Sequence, residues 1–261
     1  MSSGADLHVL YRIANAPIRQ FPYPHIYVRD VFPSDYYWAL REHIPPDSQF
    51  LTLTSLNRVA EGYPDSRQVI PFTPERLGHL PEPYRGFWNR QASWMLDGSF
   101  GQAVLPKFIQ GLQQRFGDLS AYHFYDEALL VKDTSTYSLG PHTDNLKKVA
   151  SFLFYLPGDD SMGHLGTTIY APKDPEFRSI GGDHYGFEHF VPMMTLPFLP
   201  NSLFAFLKTD NSFHGVEPIA DAGVRRDLLL YDIKVSNPPE LARPPQDTPE
   251  RKSGPTARFS F

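Results

Sequence analysis

The residues with the clearest capacity for chemistry are His142 and Asp144, in Gly140-Pro141-His142-Thr143-Asp144-Asn145, and His214, in Ser212-Phe213-His214-Gly215-Val216-Glu217. His142 and Asp144 are two apart, and in an extended strand residues i and i+2 point to one face. Both side chains could therefore reach a single metal ion. His214 follows 70 residues after Asp144 and could add a third ligand from another strand. Two imidazoles and a carboxylate on one side of a metal, with open positions opposite, suit Fe(II) chemistry on O2. A further signal is the pair Arg225-Arg226, shortly after His214 and at the start of an apolar run.

Elements must position these residues. Ser34 to Ile44 is predicted to be a helix, with Ser34 as N-cap and Asp35 near its positive end. Pro83 to Asp97 and Val104 to Phe116 carry apolar residues at helical spacing, and Gly117 closes the second. From residue 119 the period changes. Tyr122–Tyr125, Leu129–Val131, Val149–Leu156, Thr167–Tyr170, Ser202–Leu207 and Leu228–Val235 read as strands. Helices followed by a run of strands imply a sheet sandwich or barrel braced by helices. Residues 1–20 are expected to be a loose arm, 21–118 a helical support, 119–236 the β core and 237–261 a Pro-rich tail. The stretch 47–82 is rich in turn formers and unassigned. The stretch 171–199, with Gly181-Gly182 and four prolines, reads as a lid or substrate loop whose His184 and His189 face solvent. His164 reads as a turn residue.

Composition narrows the classes. The chain has 261 residues, 41% hydrophobic and 20% charged, with a formal net charge of -5. That is a globular profile with no global basic field, so nucleic acid is a disfavoured partner. There are no cysteines, which excludes disulfides, thiolate zinc sites, iron–sulfur clusters and cysteine nucleophiles. The first fifteen residues lack a basic segment followed by an apolar run, and no apolar segment is long enough for a bilayer. A cytoplasmic protein with no membrane partner is the expectation.

The ordered set Pro141-His142-Thr143-Asp144, Gly163–Tyr170, Leu199–Leu203, His214–Pro218 and Gly223-Val224-Arg225-Arg226 resembles the Fe(II)- and 2-oxoglutarate-dependent oxygenases of the prolyl-hydroxylase-like group. The likeness spans roughly residues 20–235, with the specific motifs in 137–235. It implies a mainly β fold with supporting helices, a double-stranded β-helix (jelly-roll, cupin-like) core. It implies Fe(II) held by His142, Asp144 and His214, 2-oxoglutarate as cosubstrate, and O2. It also implies hydroxylation of a small molecule, a sugar or a protein side chain, with release of succinate and CO2. Related halogenases lack the carboxylate ligand, so Asp144 implies hydroxylation or a kindred oxidation. Arg225 is placed as the 2-oxoglutarate anchor, because the Gly-x-Arg-x-(Ser/Thr) pattern aligns with Gly223 to Asp227. Arg226 is the alternative. Arg225 shares a strand face with Asp227, Leu229 and Tyr231, and Arg226 shares one with Leu228, Leu230 and Asp232. Asp227 departs from the hydroxyl residue of the pattern. Tyr155 is a candidate partner of 2-oxoglutarate or a core aromatic, Lys132 a solvated lysine, and Asn145 a neighbour of the ligands or a turn residue. Two rivals use the same ligands: a non-catalytic metal-binding β-barrel, and a Zn(II) or Mn(II) hydrolase or isomerase.

Overall fold

The structure, a computed structural model, describes residues 4–58 and 65–242. Among these are helices α1 (Ala5–Asn15), α2 (Ser34–Glu42), α3 (Pro74–Gly78), α4 (Tyr84–Met95), α5 (Ser99–Val104) and α6 (Ile109–Phe116). The strands are β1 (His25–Arg29), β2 (Leu51–Thr52), β3 (Arg67–Pro71), β4 (Phe124–Thr134), β5 (Leu139–His142), β6 (Lys148–Tyr155), β7 (Thr167–Pro172), β8 (Phe190–Leu196), β9 (Ser202–Leu207), β10 (His214–Val216) and β11 (Arg225–Val235).

The strands form two sheets, ordered β1-β9-β6-β11-β4-β3-β2 and β5-β10-β7-β8. From β4 to β8 the chain alternates between the sheets, β8 excepted, and from β9 to β11 it alternates again. Every described pairing is antiparallel. This is the strand order of a double-stranded β-helix, and its two sheets are separate rather than joined into a closed barrel.

Alternation along the strands divides the core. Phe152 and Phe154 on β6, Leu203, Ala205 and Leu207 on β9, and Leu229, Tyr231 and Ile233 on β11 face the helices, where Trp88, Met95, Phe100, Phe108 and Leu112 cover them. Tyr155, Phe204, Phe206, Leu228, Leu129 and Val131 face the other way, onto Ile169 and Leu196 of the small sheet. The large sheet is thus buried on both faces, which is why its strands read as nearly continuous apolar runs.

Several local expectations are revised. The N-terminal arm carries α1, whose Val9 and Ile13 lie in the helix-side core; its apolar stripe is short and weak. Pro33, not Ser34, holds the N-cap position of α2. The segments 122–125 and 129–131 belong to one strand, β4, apart from Tyr122 and His123. The expected 104–116 helix starts late: Val104 ends α5, Leu105–Phe108 form a 3-10 turn around Pro106, and only α6 is α-helical, since proline cannot donate within a helix. Within 47–82, β2, β3 and α3 extend the large sheet and its flank. The stretch 171–199 contains β8, a full member of the small sheet. As an edge strand it is exposed from Val191 to Thr195 on both faces, so it carries no period in its sequence. Of the tail, Glu240 pairs with Arg115 (2.6 Å), and residues 243–261 lie outside the described ones. No helix among the described residues is long and apolar enough to cross a membrane.

Candidate metal centre

β5 delivers His142 and β10 delivers His214, and the two are register partners across the small sheet. Asp144 follows as the chain leaves β5. One ligand atom from each of the three lies within 4.8 Å of the others, and all three residues are buried. Their spacing in the sequence gains its meaning here, because antiparallel pairing sets His214 directly beside His142.

Hydrogen bonding orients both imidazoles. His142 Nδ1 lies 3.0 Å from the Gly140 carbonyl, and His214 Nδ1 lies 3.0 Å from the Ser212 carbonyl. A carbonyl can only accept, so each Nδ1 carries the proton and each Nε2 keeps its lone pair. Burial lowers the pKa of both rings, and for His142 the neighbouring His214 and His184 lower it further. Both are therefore neutral, as metal ligation requires. Burial opposes ionisation of Asp144, but the Lys148 ammonium and the other nearby groups outweigh it and carry its carboxyl below the usual range. Asp144 Oδ2 is 2.8 Å from Ser151 Oγ, and Oδ1 is 3.2 Å from Lys148 Nζ. Two neutral imidazoles and an ionised carboxylate on one side fit a divalent iron.

The rest of the inward face is equally specific. Arg226 is buried inside the sandwich, its guanidinium 4.8 Å from the Phe198 ring centroid and its Nη1 2.8 Å from Asp133 Oδ2. Arg67 meets the same carboxylate at 2.6 and 2.8 Å. Among the described residues, Arg226 Nε is buried with no hydrogen-bond partner. Tyr155 also points inward and donates to Thr167 Oγ1 (2.8 Å). Burial pushes its phenol up to about 12, against the Thr167 hydrogen bond and the Arg226 charge. Tyr23 is buried within electrostatic reach of both Asp144 and Tyr155.

The structure does not bring Arg225 to this interior. It lies on the opposite face of β11, against Phe50 and bound to Asp47 and Asp227. The Asp227 carboxylate, which stands where the pattern has a hydroxyl residue, is the partner of Arg225. Lys132 is not solvated: it is buried on that same side, 3.4 Å from Asp47. Asn145 serves the turn, its Oδ1 accepting from Lys147 N (2.9 Å). His164 is exposed beside Asp221, and His189 is exposed beside Glu188.

His184 departs from its expected place in solvent. Its ring stacks on His142, with centroids 4.5 Å apart and an interplanar angle of 21°. The segment 179–185 is stitched along the outer edge of β5, with Tyr185 N donating to Pro141 O (3.0 Å) and Gly182 N to Thr143 O (3.2 Å). Gly140 permits this approach: a Cβ there would stand 2.6 Å from the Tyr185 carbonyl. Sequence reading also passed over Ser151, Lys148 and Asp232. The available signals were a serine and an aspartate inside otherwise apolar strands, and a lysine four residues after Asp144.

No family model matches the chain, and no curated protein matches it. Solved structures similar to it include a prolyl-4-hydroxylase from Pseudomonas putida, at 14% identity and a TM-score of 0.46, covering 87% of this chain and 96% of that one. A 2OG-Fe(II) oxygenase family oxidoreductase from Burkholderia pseudomallei is similar at 10% identity and a TM-score of 0.43, covering 89% of this chain and 91% of that one. HygX from Streptomyces hygroscopicus, with nickel and 2-oxoglutarate bound, is similar at 12% identity and a TM-score of 0.44, covering 80% and 82%. These likenesses are distant.

Proposed function

We propose that the protein is an Fe(II)- and 2-oxoglutarate-dependent oxygenase that hydroxylates a small molecule, a sugar or a protein side chain, with release of succinate and CO2. The observation that carries this reading is the buried convergence of His142, Asp144 and His214 within 4.8 Å, with both imidazoles turned so that Nε2 is available. His142 Nε2, His214 Nε2 and an Asp144 oxygen would hold the iron. Bound iron, with 2-oxoglutarate and O2, would supply the oxidising chemistry.

The chain's own residues bind, orient and exclude water. Arg226, rather than Arg225, is the proposed anchor for the distal carboxylate. It is the arginine of the pair that points into the sandwich, and its buried Nε–H could donate to a carboxylate. Arg67 remains on Asp133, so Arg226 need not leave that carboxylate uncompensated when it also serves a ligand. Tyr155 lines the same interior and could orient the cosubstrate. Phe204, Phe206 and Tyr23 form an apolar wall beside His214, with Phe206 only 4.4 Å from its ring. His184 covers His142 from the outer side.

The test is anaerobic addition of Fe(II) and 2-oxoglutarate, read as a weak visible charge-transfer band, followed by succinate measurement after O2 is admitted. Both are expected, and Asp144→Ala is expected to abolish both. Full succinate formation by Asp144→Ala would mean that the site is misassigned. Metal binding without the band would favour a non-catalytic metal-binding domain.

A further inference from the structure

Lys148 and Ser151 each stand between the same two carboxylates. Lys148 Nζ is 3.2 Å from Asp144 Oδ1 and 3.1 Å from Asp232 Oδ2. Ser151 Oγ is 2.8 Å from Asp144 Oδ2 and 2.7 Å from Asp232 Oδ1. Asp232 and Ser151 are register partners on β11 and β6, pointing inward and almost wholly buried. A hydroxyl has one proton and can donate to one carboxylate at a time, whereas an ammonium has three and can serve both.

The oxygen that Lys148 touches is also the Asp144 oxygen that lies 3.9 Å from His142 Nε2. The ammonium therefore competes with a metal ion for that carboxylate oxygen, and two cations drawn to one oxygen repel. Asp232 offers Lys148 another carboxylate, so the lysine can yield Asp144 without becoming a buried unpaired charge.

We infer, resting on the metal-site reading above, that Asp232 is a positioning residue that draws Lys148 away from Asp144 and so keeps the Asp144 carboxylate available to a divalent cation. Without Asp232, Lys148 has Asp144 as its remaining carboxylate partner among the described residues, and it competes with the metal for it. With both charges removed, the competition disappears. Neither residue needs to touch substrate for this role.

The experiment is titration of the metal-free full-length protein with Co(II), by calorimetry and by its visible ligand-field bands. Asp232→Asn is expected to weaken Co(II) binding about 10- to 100-fold, as loss of a carboxylate behind a ligand does elsewhere. Adding Lys148→Met to Asp232→Asn is expected to restore affinity to within about threefold of the parent protein. Loss of packing alone would not be repaired by a second substitution. Lys148→Met alone is expected to bind Co(II) at least as tightly as the parent. It keeps the test decisive if Asp232→Asn fails to fold: weaker binding by Lys148→Met would overturn the role. Parent-like binding by Asp232→Asn, or no recovery in the double variant, would also overturn it while leaving the metal site standing. If the parent binds no Co(II), or His142→Ala binds as well as the parent, the metal-site reading fails and this inference with it.

Discussion

The two faces of the large sheet are both buried, yet they are built differently. The face toward the helices is close-packed and apolar over most of its area, from Val9 and Trp88 to Phe154 and Ile233. Arg225, Lys132 and Asp227 collect at one margin of it with Asp47, and Asp126 stands near the other. The face toward the small sheet is apolar in its middle, at Phe204, Phe206, Leu228 and Tyr155. At its two extremes it holds ions: buried Asp144 and Asp232 with half-buried Lys148 at one, buried Arg226 and Asp133 at the other. Burying charge is costly unless every ion is paired and hydrogen-bonded. Such a cost adds nothing to stability, which is consistent with the second face being the one proposed to handle ligands.

That contrast can be broken by mutation. The largest effect is expected on the helix side. Trp88 is fully buried, packs against Phe72 and Phe87, and donates to the His43 carbonyl at 2.6 Å. Trp88→Ala should cost about 3–5 kcal/mol, read as a fall in the denaturation midpoint, while Co(II) affinity of the folded fraction stays unchanged. A changed affinity would mean that the two faces are not separable.

Next comes the arginine pair. Under the proposed oxygenase reading, Arg226→Ala should raise the KM for 2-oxoglutarate at least ~30-fold, the scale for truncating one member of a buried charge pair. Arg225→Ala should leave it within about twofold, since a partly exposed ion pair contributes little. The reverse order in steady-state kinetics would return the anchor to Arg225. Gly140→Ala should cost about 1–3 kcal/mol by overpacking, because the new methyl meets the Tyr185 carbonyl. Thermal unfolding measures the loss, and faster proteolysis near residues 179–185 would locate it.

The smallest effect is on pH dependence. His25, His142, His184 and His214 all have lowered folded-state pKa values, with burial as the leading cause, and His184 falls to about 4. Below about pH 6.5 the unfolded chain protonates these rings while the folded chain resists. The unfolded state then binds more protons, so stability falls as pH falls. Asp144, lowered in the folded state, adds its own loss only at pH below about 3.9. The Tm of metal-free protein should decline from about pH 7 to about pH 5 by more than the fully exposed histidines would allow. A flat profile would contradict four imidazoles that stay neutral in the folded state.

Much of the fold was legible because period follows burial. The helices at α2 and α4 and the strands β6, β9 and β11 carry apolar residues where the structure buries them. β8 was not legible, since an edge strand exposed on both sides has nothing to alternate. Of the site, the His-x-Asp pair was legible because a two-residue spacing has a defined meaning in an extended chain. Lys148, Ser151 and Asp232 were not, because single polar residues in apolar strands declare no partner.

The sequence alone determined that β11 places Arg225 with Asp227 and Leu229, and Arg226 with Leu228 and Asp232, because strand geometry alternates. It could not say which set faces the small sheet. Both are mostly apolar, and a sheet covered on both sides offers no polarity difference to tell inside from outside. Tertiary structure made that choice by laying the helices on one face and the small sheet on the other. The same packing set His214 beside His142 and closed Asp232 over Lys148, contacts made between strands far apart in the chain.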